Sequence, residues 1–173
     1  VSHWDCTLER VPAAYRFAIR LGMRLVRGLR ESDANRIVEA RSIVSFRSVS
    51  DVAHRAKLSR RATQLLATSG AFRSLSKHRN VALWDVLGTD HVQSLISGAP
   101  PREGQPLVPQ PTEWEDMLRD YRQMRLTTGR HPLALLRSQL DELDVLRRKD
   151  LDGVTHGSVV RVCGLVTHLQ HPQ

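Results

Sequence analysis

The sequence is poor in cysteine and in aromatic residues, and each shortage excludes a class of structure. Cys6 and Cys163 stand 157 positions apart, and neither has beside it the three or four ligands that a metal site needs. A disulfide between them is not expected in the cytoplasm, where we place this chain. Aromatic residues make up only 5% of the sequence, so its core must consist mainly of Leu, Val, Ile and Ala.

Long apolar runs are also missing. No stretch approaches the roughly 20 apolar residues needed to cross a bilayer, and the sequence does not open on a basic segment followed by an apolar one. These two absences predict a soluble protein that is not secreted. Aliphatic residues, Ala and Arg are abundant and favour helices, so the composition predicts a mainly α fold.

The residue patterns of the common enzyme classes are absent. Two-metal phosphoryl transfer requires clustered carboxylates, and the only D-x-D pattern is Asp150-Leu151-Asp152, in a predicted loop. A third carboxylate would have to come from a distant part of the chain. No Walker loop, G-x-S-x-G or H-E-x-x-H pattern occurs. We therefore predict that this chain holds no catalytic residue, no metal and no cofactor.

Arginine, in contrast, is in excess. The net charge is +8, and all but three of the 26 basic residues are arginines, whose planar donors match phosphate. Residues 16–79 contain 15 basic and four acidic side chains, whereas residues 113–152 contain eight and nine. A GC-rich genome would raise the arginine content throughout. The localised excess therefore predicts a polyanionic partner, most simply a nucleic acid.

Helix caps and apolar spacing predict four short helices in the first half. Before them, residues 1–12 fit a loop, and apolar residues alternate from Phe17 to Leu25, which predicts a strand that ends at Gly28. Helices are expected from a cap at Ser32 or Asp33 to about Arg41, from Ser48 or Ser50 with Ala56 among the inward residues, from Ser59 to a stop at Gly70, and from Arg79 to Leu87. The similar tetrapeptides 46–49 and 72–75 indicate a repeat of 26 residues.

Proline marks the transition to the second half. Five prolines and two glycines lie between Ser97 and Pro111, a composition typical of an extended linker. Thr112-Glu113-Trp114-Glu115 is a capping box that opens a helix to about Met124, and Pro132 opens another to about Leu140. Residues 158–166 predict a strand. Because a lone strand cannot form a sheet, we expect residues 158–173 to begin a β domain.

The first motif that indicates DNA binding is Val26-Arg27-Gly28-Leu29-Arg30. It resembles the hairpin of a helix-hairpin-helix motif, in which backbone N–H groups and the positive end of the next helix approach a phosphate. Glycine keeps this surface free of a side chain and permits a positive φ. Arg30 stands where a second glycine is expected, so it either contacts the phosphate itself or marks a degenerate hairpin. An ordinary strand-to-helix turn is the alternative.

The second motif is Lys57-Leu58-Ser59-Arg60-Arg61, between the second and third predicted helices. It has no glycine, but it places three cations beside a helix N-terminus. There they oppose the helix dipole until an anion binds. A solvated basic face is the equally simple alternative.

Seven stretches together resemble the bacterial C-family error-prone DNA polymerases, which are related to the DNA polymerase III alpha subunit. They are spread over nearly the whole chain in the family's order and look like a carboxy-terminal segment. The Trp-Asp-Cys-Thr stretch at residue 4 and the Thr-Gly-Arg-His-Pro turn at residue 128 favour the error-prone branch. The seven stretches are residues 4–9, 21–29, 58–62, 70–75, 82–84, 127–133 and 162–168.

The resemblance implies a domain layout. Residues 1–19 would follow the fingers, 20–88 would form a tandem helix-hairpin-helix DNA-binding domain, 89–111 a Pro/Gly-rich linker, 112–157 a helical connector, and 158–173 the incomplete start of an OB-fold. The palm, with its catalytic aspartates and Mg²⁺, has no counterpart in this chain. We therefore do not expect the chain to polymerise DNA alone.

The resemblance also implies a role in damage-induced mutagenesis and translesion synthesis, with the sliding clamp and accessory proteins as partners. The chain would hold duplex or primer-template DNA by its phosphates, without reading sequence. Two alternatives stay open: a module that docks on accessory proteins, or a truncated gene product without a function of its own. The predicted DNA contacts are Arg27, Gly28, Leu29, Arg30, Lys57, Ser59, Arg60 and Arg61.

Overall fold

The computed structural model describes residues 1–10, 17–89 and 107–171. Helices dominate these ranges, which confirms the mainly α fold that the composition predicts. The chain divides into two compact units, Val1–Leu126 and Thr127–Gln173. None of the helices in the described ranges has the length and hydropathy that a membrane crossing requires.

The first unit begins with a two-stranded antiparallel sheet of β1 (Thr7–Arg10) and β2 (Phe17–Arg20). The loop predicted over residues 1–12 is wrong for β1, and the strand predicted from Phe17 until Gly28 is confirmed only from Phe17 to Arg20. Beyond Arg20 the chain forms a 3₁₀ helix, Met23–Leu25. The physical reason is that the N–H groups of Met23 and Arg24 donate to the carbonyl oxygens of residues 3 and 4, at 2.8 and 3.0 Å. These bonds close the turn and end the strand.

Four helices follow: α1 (Glu31–Ile43), α2 (Val49–Arg55), α3 (Arg60–Ser69) and α4 (Arg79–Gly88). The hydroxyls of Ser48 and Ser59 cap α2 and α3, and Gly70 ends α3 with a φ of +78°. These three predictions are confirmed. The predicted cap of α1 is wrong, because the helix starts directly after Arg30 and not at Ser32 or Asp33.

The core of the first unit is aliphatic, as the low aromatic content predicts. It is formed by one contiguous cluster in which α3 packs against α4 and α2. Removal of these side chains from water is the main source of stability for such a unit. The most deeply buried hydrophobic members are Ala34, Val49, Val52, Ala56, Leu66, Ala67, Ala82 and Val86.

Helix α5 (Glu113–Met124) completes the first unit and packs on α3. Its predicted capping box is confirmed: the Thr112 hydroxyl accepts the Glu115 N–H at 3.2 Å, and the Glu115 carboxylate accepts the Thr112 N–H at 2.9 Å. The hydrogen bond from the Thr112 backbone holds the pKa of Glu115 below its ordinary value of 4.5. Most of the predicted linker, residues 90–106, lies outside the described residues.

The second unit has short elements: α6 (Pro132–Leu135), α7 (Arg137–Glu142), β3 (Val145–Leu146), a 3₁₀ helix (Arg148–Gly153) and β4 (Arg161–Val162). The single helix predicted to run from Pro132 to about Leu140 is therefore interrupted at Leu136. Only two residues of the strand predicted over 158–166 pair in a ladder, parallel to β3. These small strands are consistent with the predicted start of an OB-fold.

Candidate nucleic-acid interface

The first hairpin turn, residues 27–30, joins the 3₁₀ helix to α1. Gly28 has a φ of +83°, the left-handed conformation in which glycine costs least. Leu29 buries its side chain and donates its N–H to the Val26 carbonyl oxygen at 3.1 Å. Arg30 is extended at the N-cap position of α1 and makes no side-chain cap bond. The turn therefore exposes the backbone of Gly28 and the side chain of Arg30.

The second hairpin turn, residues 56–59, joins α2 to α3. Lys57 has a φ of +49°, again in the left-handed region, but here a side chain is present. Leu58 is buried and donates its N–H back to the Ala53 carbonyl oxygen at 2.9 Å. Ser59 is extended at the N-cap position of α3, and its hydroxyl accepts the Ala62 N–H at 3.2 Å.

The two turns are structurally equivalent at an offset of 29 positions. Gly28 and Lys57 have a positive φ, Leu29 and Leu58 are the buried anchors, and an extended N-cap residue follows in each. The equivalence continues into the helices, where Ala34 and Thr63 both have 0% exposure. The repeated unit is therefore a hairpin turn that occurs twice. The offset between its two copies differs from the 26 residues that the tetrapeptides indicated.

Each turn also contacts the helix that follows the other turn. A β-carbon at Gly28 would lie 3.4 Å from the Leu65 Cδ1 atom of α3. Reciprocally, the Arg36 Nη2 group of α1 donates to the Lys57 carbonyl oxygen at 3.4 Å. Arg36 and Leu65 are themselves 29 positions apart. Such exchanged contacts are what a two-fold axis produces, so the turns are related by an approximate internal two-fold.

The Arg36 side chain makes contacts at both turns. Its Nε group donates to the Ala56 carbonyl oxygen at 2.9 Å, and its guanidinium also pairs with the Asp33 carboxylate in the first turn of α1. One side chain thus satisfies the carbonyl groups behind the second turn and neutralises an acid beside the first. The backbone of Lys57 is held in its left-handed conformation by this contact.

Both turns present backbone N–H groups at a helix start. The first amides of a helix have no acceptor within the helix. At α3 the Ser59 hydroxyl satisfies the third one, and the N–H groups of Arg60 and Arg61 have no hydrogen-bond acceptor in the part of the chain that the structure describes. Donors of this kind, at the positive end of a helix dipole, form a ready site for an anion.

The two turns differ in charge. At the second turn, the side chains of Lys57, Arg60 and Arg61 are all exposed, and the first turn of α3 contains no acidic residue. At the first turn, the cations are opposed by Glu31 in the first turn of α1, where Asp33 is already paired with Arg36. Carboxylates at that position compete with phosphate for the same donors. The second turn is therefore the stronger anion site.

Comparison with known proteins agrees with this geometry. A family model described as a helix-hairpin-helix motif matches residues 1–82, a range that contains both turns. Curated proteins named error-prone DNA polymerase match almost the whole chain. They include those of Pseudomonas paraeruginosa, 43% identical over 174 residues, and Pseudomonas syringae pv. tomato, 44% identical over 174 residues. The protein of Alkalilimnicola ehrlichii is 43% identical over 171 residues.

This chain is homologous to a segment of the error-prone DNA polymerases. The matches cover 99% of this chain but only 17% of the length of these three relatives. The resemblance predicted from the sequence motifs is thereby confirmed. No solved structure matches the chain.

In this homologous segment, α5 supports the first hairpin turn from behind. The Arg27 N–H donates to the Gln123 carbonyl oxygen at 3.0 Å, and the Gln123 side-chain amide donates to the Arg27 carbonyl oxygen at 2.9 Å. Both backbone groups of Arg27 are therefore occupied, while its side chain remains exposed. Gly28 is also exposed, so α5 steadies the turn without covering it.

The structure brings the predicted DNA contacts together in these two turns. Leu29 differs from the other predicted contacts, because its side chain is buried and its N–H donates within the turn. It anchors the turn and offers no donor outward. The remaining predicted contacts are exposed: Arg27, Gly28, Arg30, Lys57, Ser59, Arg60 and Arg61.

A deeply buried ion pair was not predicted. Arg79 at the start of α4 is 4% exposed and pairs with the Asp120 carboxylate of α5. It also donates to the Asp116 carbonyl oxygen at 3.1 Å. A pair held this way positions α5, which in turn supports the first hairpin turn. In an arginine-rich sequence nothing distinguishes Arg79 from its exposed neighbours, so only the packing identifies it.

The Asp150-Leu151-Asp152 carboxylates form ion pairs or hydrogen bonds with neighbouring residues and are not grouped as a two-metal site requires. Asp150 accepts the Arg147 N–H at 3.1 Å, and Asp152 pairs with Arg148 at 3.2 Å. Among the described residues, no group of three or more His, Cys, Asp or Glu side chains is arranged to hold a metal. We therefore assign no step of nucleotide transfer to these residues.

Proposed function

We propose that this chain holds duplex DNA by its sugar-phosphate backbone, as the duplex-binding segment of an error-prone DNA polymerase. The observation that carries the proposal is the pair of equivalent hairpin turns, each with exposed cations and a helix N-terminus. The helix-hairpin-helix match and the polymerase relatives support DNA binding by this segment. Contacts of this type grip phosphates and do not read bases.

The internal two-fold supports a double-stranded ligand. The two backbones of a duplex are related by two-fold axes, and proteins with two-fold symmetry use equivalent elements on the two strands. One hairpin turn would contact each strand. A single strand would engage one turn at a time.

The salt dependence of DNA binding tests the proposal. Each phosphate that is neutralised contributes about 0.9 to the slope of log affinity against log salt concentration. We expect the triple variant K57A/R60A/R61A to lower the magnitude of this slope by roughly 2 to 3. Fluorescence anisotropy with a labelled duplex at several salt concentrations measures it.

The chain provides a matched control. Arg147, Arg148 and Lys149 are also two arginines and one lysine, are exposed, and lie in the second unit. The variant R147A/R148A/K149A removes the same charge, and we expect it to keep the slope. Equal slopes for both triple variants would mean that net charge alone causes binding, and the proposal would fail.

Sequence independence is tested with the same assay. Each good base contact discriminates by about 1–3 kcal/mol, which is fivefold or more in affinity. We expect two duplexes of equal length and unrelated sequence to bind within about twofold of each other, an estimate that assumes phosphate contacts only.

We propose a wider role from the likeness to these relatives. Action in damage-induced mutagenesis and translesion synthesis, with a sliding clamp and accessory proteins, is proposed for the polymerase of which this segment is the homologue. The catalytic aspartates, and the Mg²⁺ they hold, would then lie in the rest of that polymerase.

A further inference from the structure

The sheet formed by β1 and β2 has one apolar face and one polar face. Residues directly opposite each other in an antiparallel pair share a face, and Leu8 lies opposite Ile19 while Arg10 lies opposite Phe17. Leu8, Phe17 and Ile19 therefore lie on the same side. Their exposures are 71%, 70% and 67%, so three large apolar side chains are uncovered within the described residues.

The other face is an ordinary solvent-facing surface. It contains Glu9 and Arg20, which form a two-pronged ion pair with one hydrogen bond of 2.6 Å. That bond from Arg20 holds the pKa of Glu9 below its ordinary value. The contrast between the faces shows that the apolar side is the unusual one.

The residues that precede β1 are fixed to the 3₁₀ helix of the first unit. The carbonyl oxygens of His3 and Trp4 accept the N–H groups of the 3₁₀ helix, and Trp4 packs against the core cluster. Any side chain at Gly22 would overlap the backbone of Trp4 and Asp5. The sheet that carries the apolar face is thus anchored at one end. Its residues Leu8, Phe17 and Ile19 are not part of the core.

The length of the relatives indicates what could cover the apolar face. A two-stranded sheet is marginally stable in water alone, and a contiguous apolar patch on such a sheet marks an interaction site. The chain spans 17% of the length of the relatives it matches, so most of such a polymerase lies outside this segment. A second copy of the chain is a poorer occupant, because each copy carries a net charge of +8 and has Arg10 on the apolar face.

We propose that the apolar face of β1 and β2 packs against the part of an error-prone polymerase that lies outside the segment this chain matches. The proposal rests on the homology and on the exposed face. It does not depend on DNA binding by the hairpin turns. The sheet would thereby fix the DNA-holding domain to the rest of the polymerase.

A chimera tests this proposal. The matching segment of the Pseudomonas paraeruginosa polymerase is replaced by this chain, and hydrogen exchange of residues 7–10 and 17–20 is measured in the chimera and in the 173-residue chain. We expect exchange to be at least about tenfold slower in the chimera, because burial of the face suppresses local opening. The double variant L8S/I19S should remove this difference.

The control variant is T7S/A18S, which changes the same two strands on the opposite face. It should keep the slow exchange of the chimera. Equal exchange in the chimera and the isolated chain, or slow exchange that survives L8S/I19S, would overturn the proposal. Protection of the isolated chain that rises with its concentration would do so as well, and would indicate a second copy as the occupant.

A second measurement decides the question if the chimera is insoluble. The tagged chain is co-expressed with the Pseudomonas paraeruginosa polymerase from which the matching segment has been deleted. The unmodified chain and T7S/A18S should co-purify with it, whereas L8S/I19S should not. Failure of the unmodified chain to co-purify counts against the proposal. In either experiment, K57A/R60A/R61A should retain the docking, so that a failure of DNA binding is distinguished from a failure of this contact.

Discussion

Lys57 combines an unfavourable backbone conformation with a charge at the centre of the candidate interface. A non-glycine residue in the left-handed region costs roughly 1–2 kcal/mol, and the φ of Lys57 is +49°. The Arg36 guanidinium donates to the carbonyl oxygens of Ala56 and Lys57 and so supports the residue in that conformation. A lysine at this position therefore lowers the free energy of unfolding relative to glycine, and it places a cation at the second turn.

Substitution of Lys57 separates these two properties. K57G should raise the free energy of unfolding by about 1 kcal/mol, because glycine relieves the strain, while DNA affinity falls. K57A removes the same charge and keeps the strain, so it should lower affinity without the gain in stability. Urea unfolding and anisotropy measure the two effects. Equal stability of the two variants would show that the turn is not strained.

Gly70 is restricted in both conformation and space. Its φ is +78°, and a β-carbon there would lie 2.7 Å from the Nε atom of the buried Arg79. We expect G70A to reduce the free energy of unfolding by roughly 1–3 kcal/mol. G88A is the matched control, because Gly88 ends α4 with nothing within 4 Å of the added carbon. It should leave stability unchanged or raise it by up to about 1 kcal/mol.

At the scale of elements, the two hairpin turns share a geometry but not a charge. The second turn carries three exposed cations without an acid in the first turn of its helix, whereas Glu31 opposes the cations of the first. We expect K57A/R60A/R61A to weaken DNA binding more, per charge removed, than R27A/R30A. Anisotropy at one fixed salt concentration gives this ranking. The reverse order would mean that the glycine turn, and not the local charge, determines phosphate affinity.

The capping box of α5 gives the first unit an acid-sensitive element. Because the pKa of Glu115 is depressed in the folded state, its contribution to stability is complete above the ordinary value and is lost as the pH falls through the folded value. E115Q should therefore flatten the loss of stability below about pH 4.5. Thermal unfolding from pH 7 to pH 3 tests this. Parallel curves for the two proteins would contradict it.

Local signals in the sequence predicted most helix ends correctly. The caps at Ser48, Ser59 and Thr112 and the stop at Gly70 depend on residues within one turn of the helix end, so the sequence contains the whole signal. The start of α1 was wrong for a tertiary reason. Leu29 packs into the core and fixes the turn, and the helix begins as soon as that anchor allows, before the better capping residues are reached.

The candidate site was predictable in part. Exposed cations and Gly28 are visible in the sequence, but the equivalence of the turns is not. Of the residues that correspond at an offset of 29 positions, Leu29 and Leu58 share an identity, whereas Gly28 corresponds to Lys57. The contributions of Arg36 and Gln123 depend on hydrogen bonds to residues 20 or more positions away, which no local pattern encodes.

At the scale of the whole molecule, structure and charge are concentrated in the first unit. Proline aside, every hydrophobic side chain that is buried within the described residues lies between Met23 and Met117. The second unit, Thr127–Gln173, contains six basic and five acidic residues. Its removal would therefore take away only one of the eight net positive charges.

A chain of residues 1–126 should thus behave like the whole protein in two assays. We expect it to keep the main thermal unfolding transition, because the core is intact, and to bind duplex DNA within about twofold of the full affinity, because the electrostatic term is nearly unchanged. Calorimetry and anisotropy measure these quantities. A loss of affinity larger than fivefold would assign DNA contacts to the second unit.

The bridge that Arg36 forms between the two hairpin turns has a geometric consequence. Because one guanidinium holds the acid beside the first turn and the carbonyl groups of the second, it restrains the distance between the two turns that we propose to bind phosphates. Under that proposal the restrained distance favours one groove width. We therefore expect an A-form RNA–DNA hybrid, whose minor groove is wide and shallow, to contact only one of the two turns.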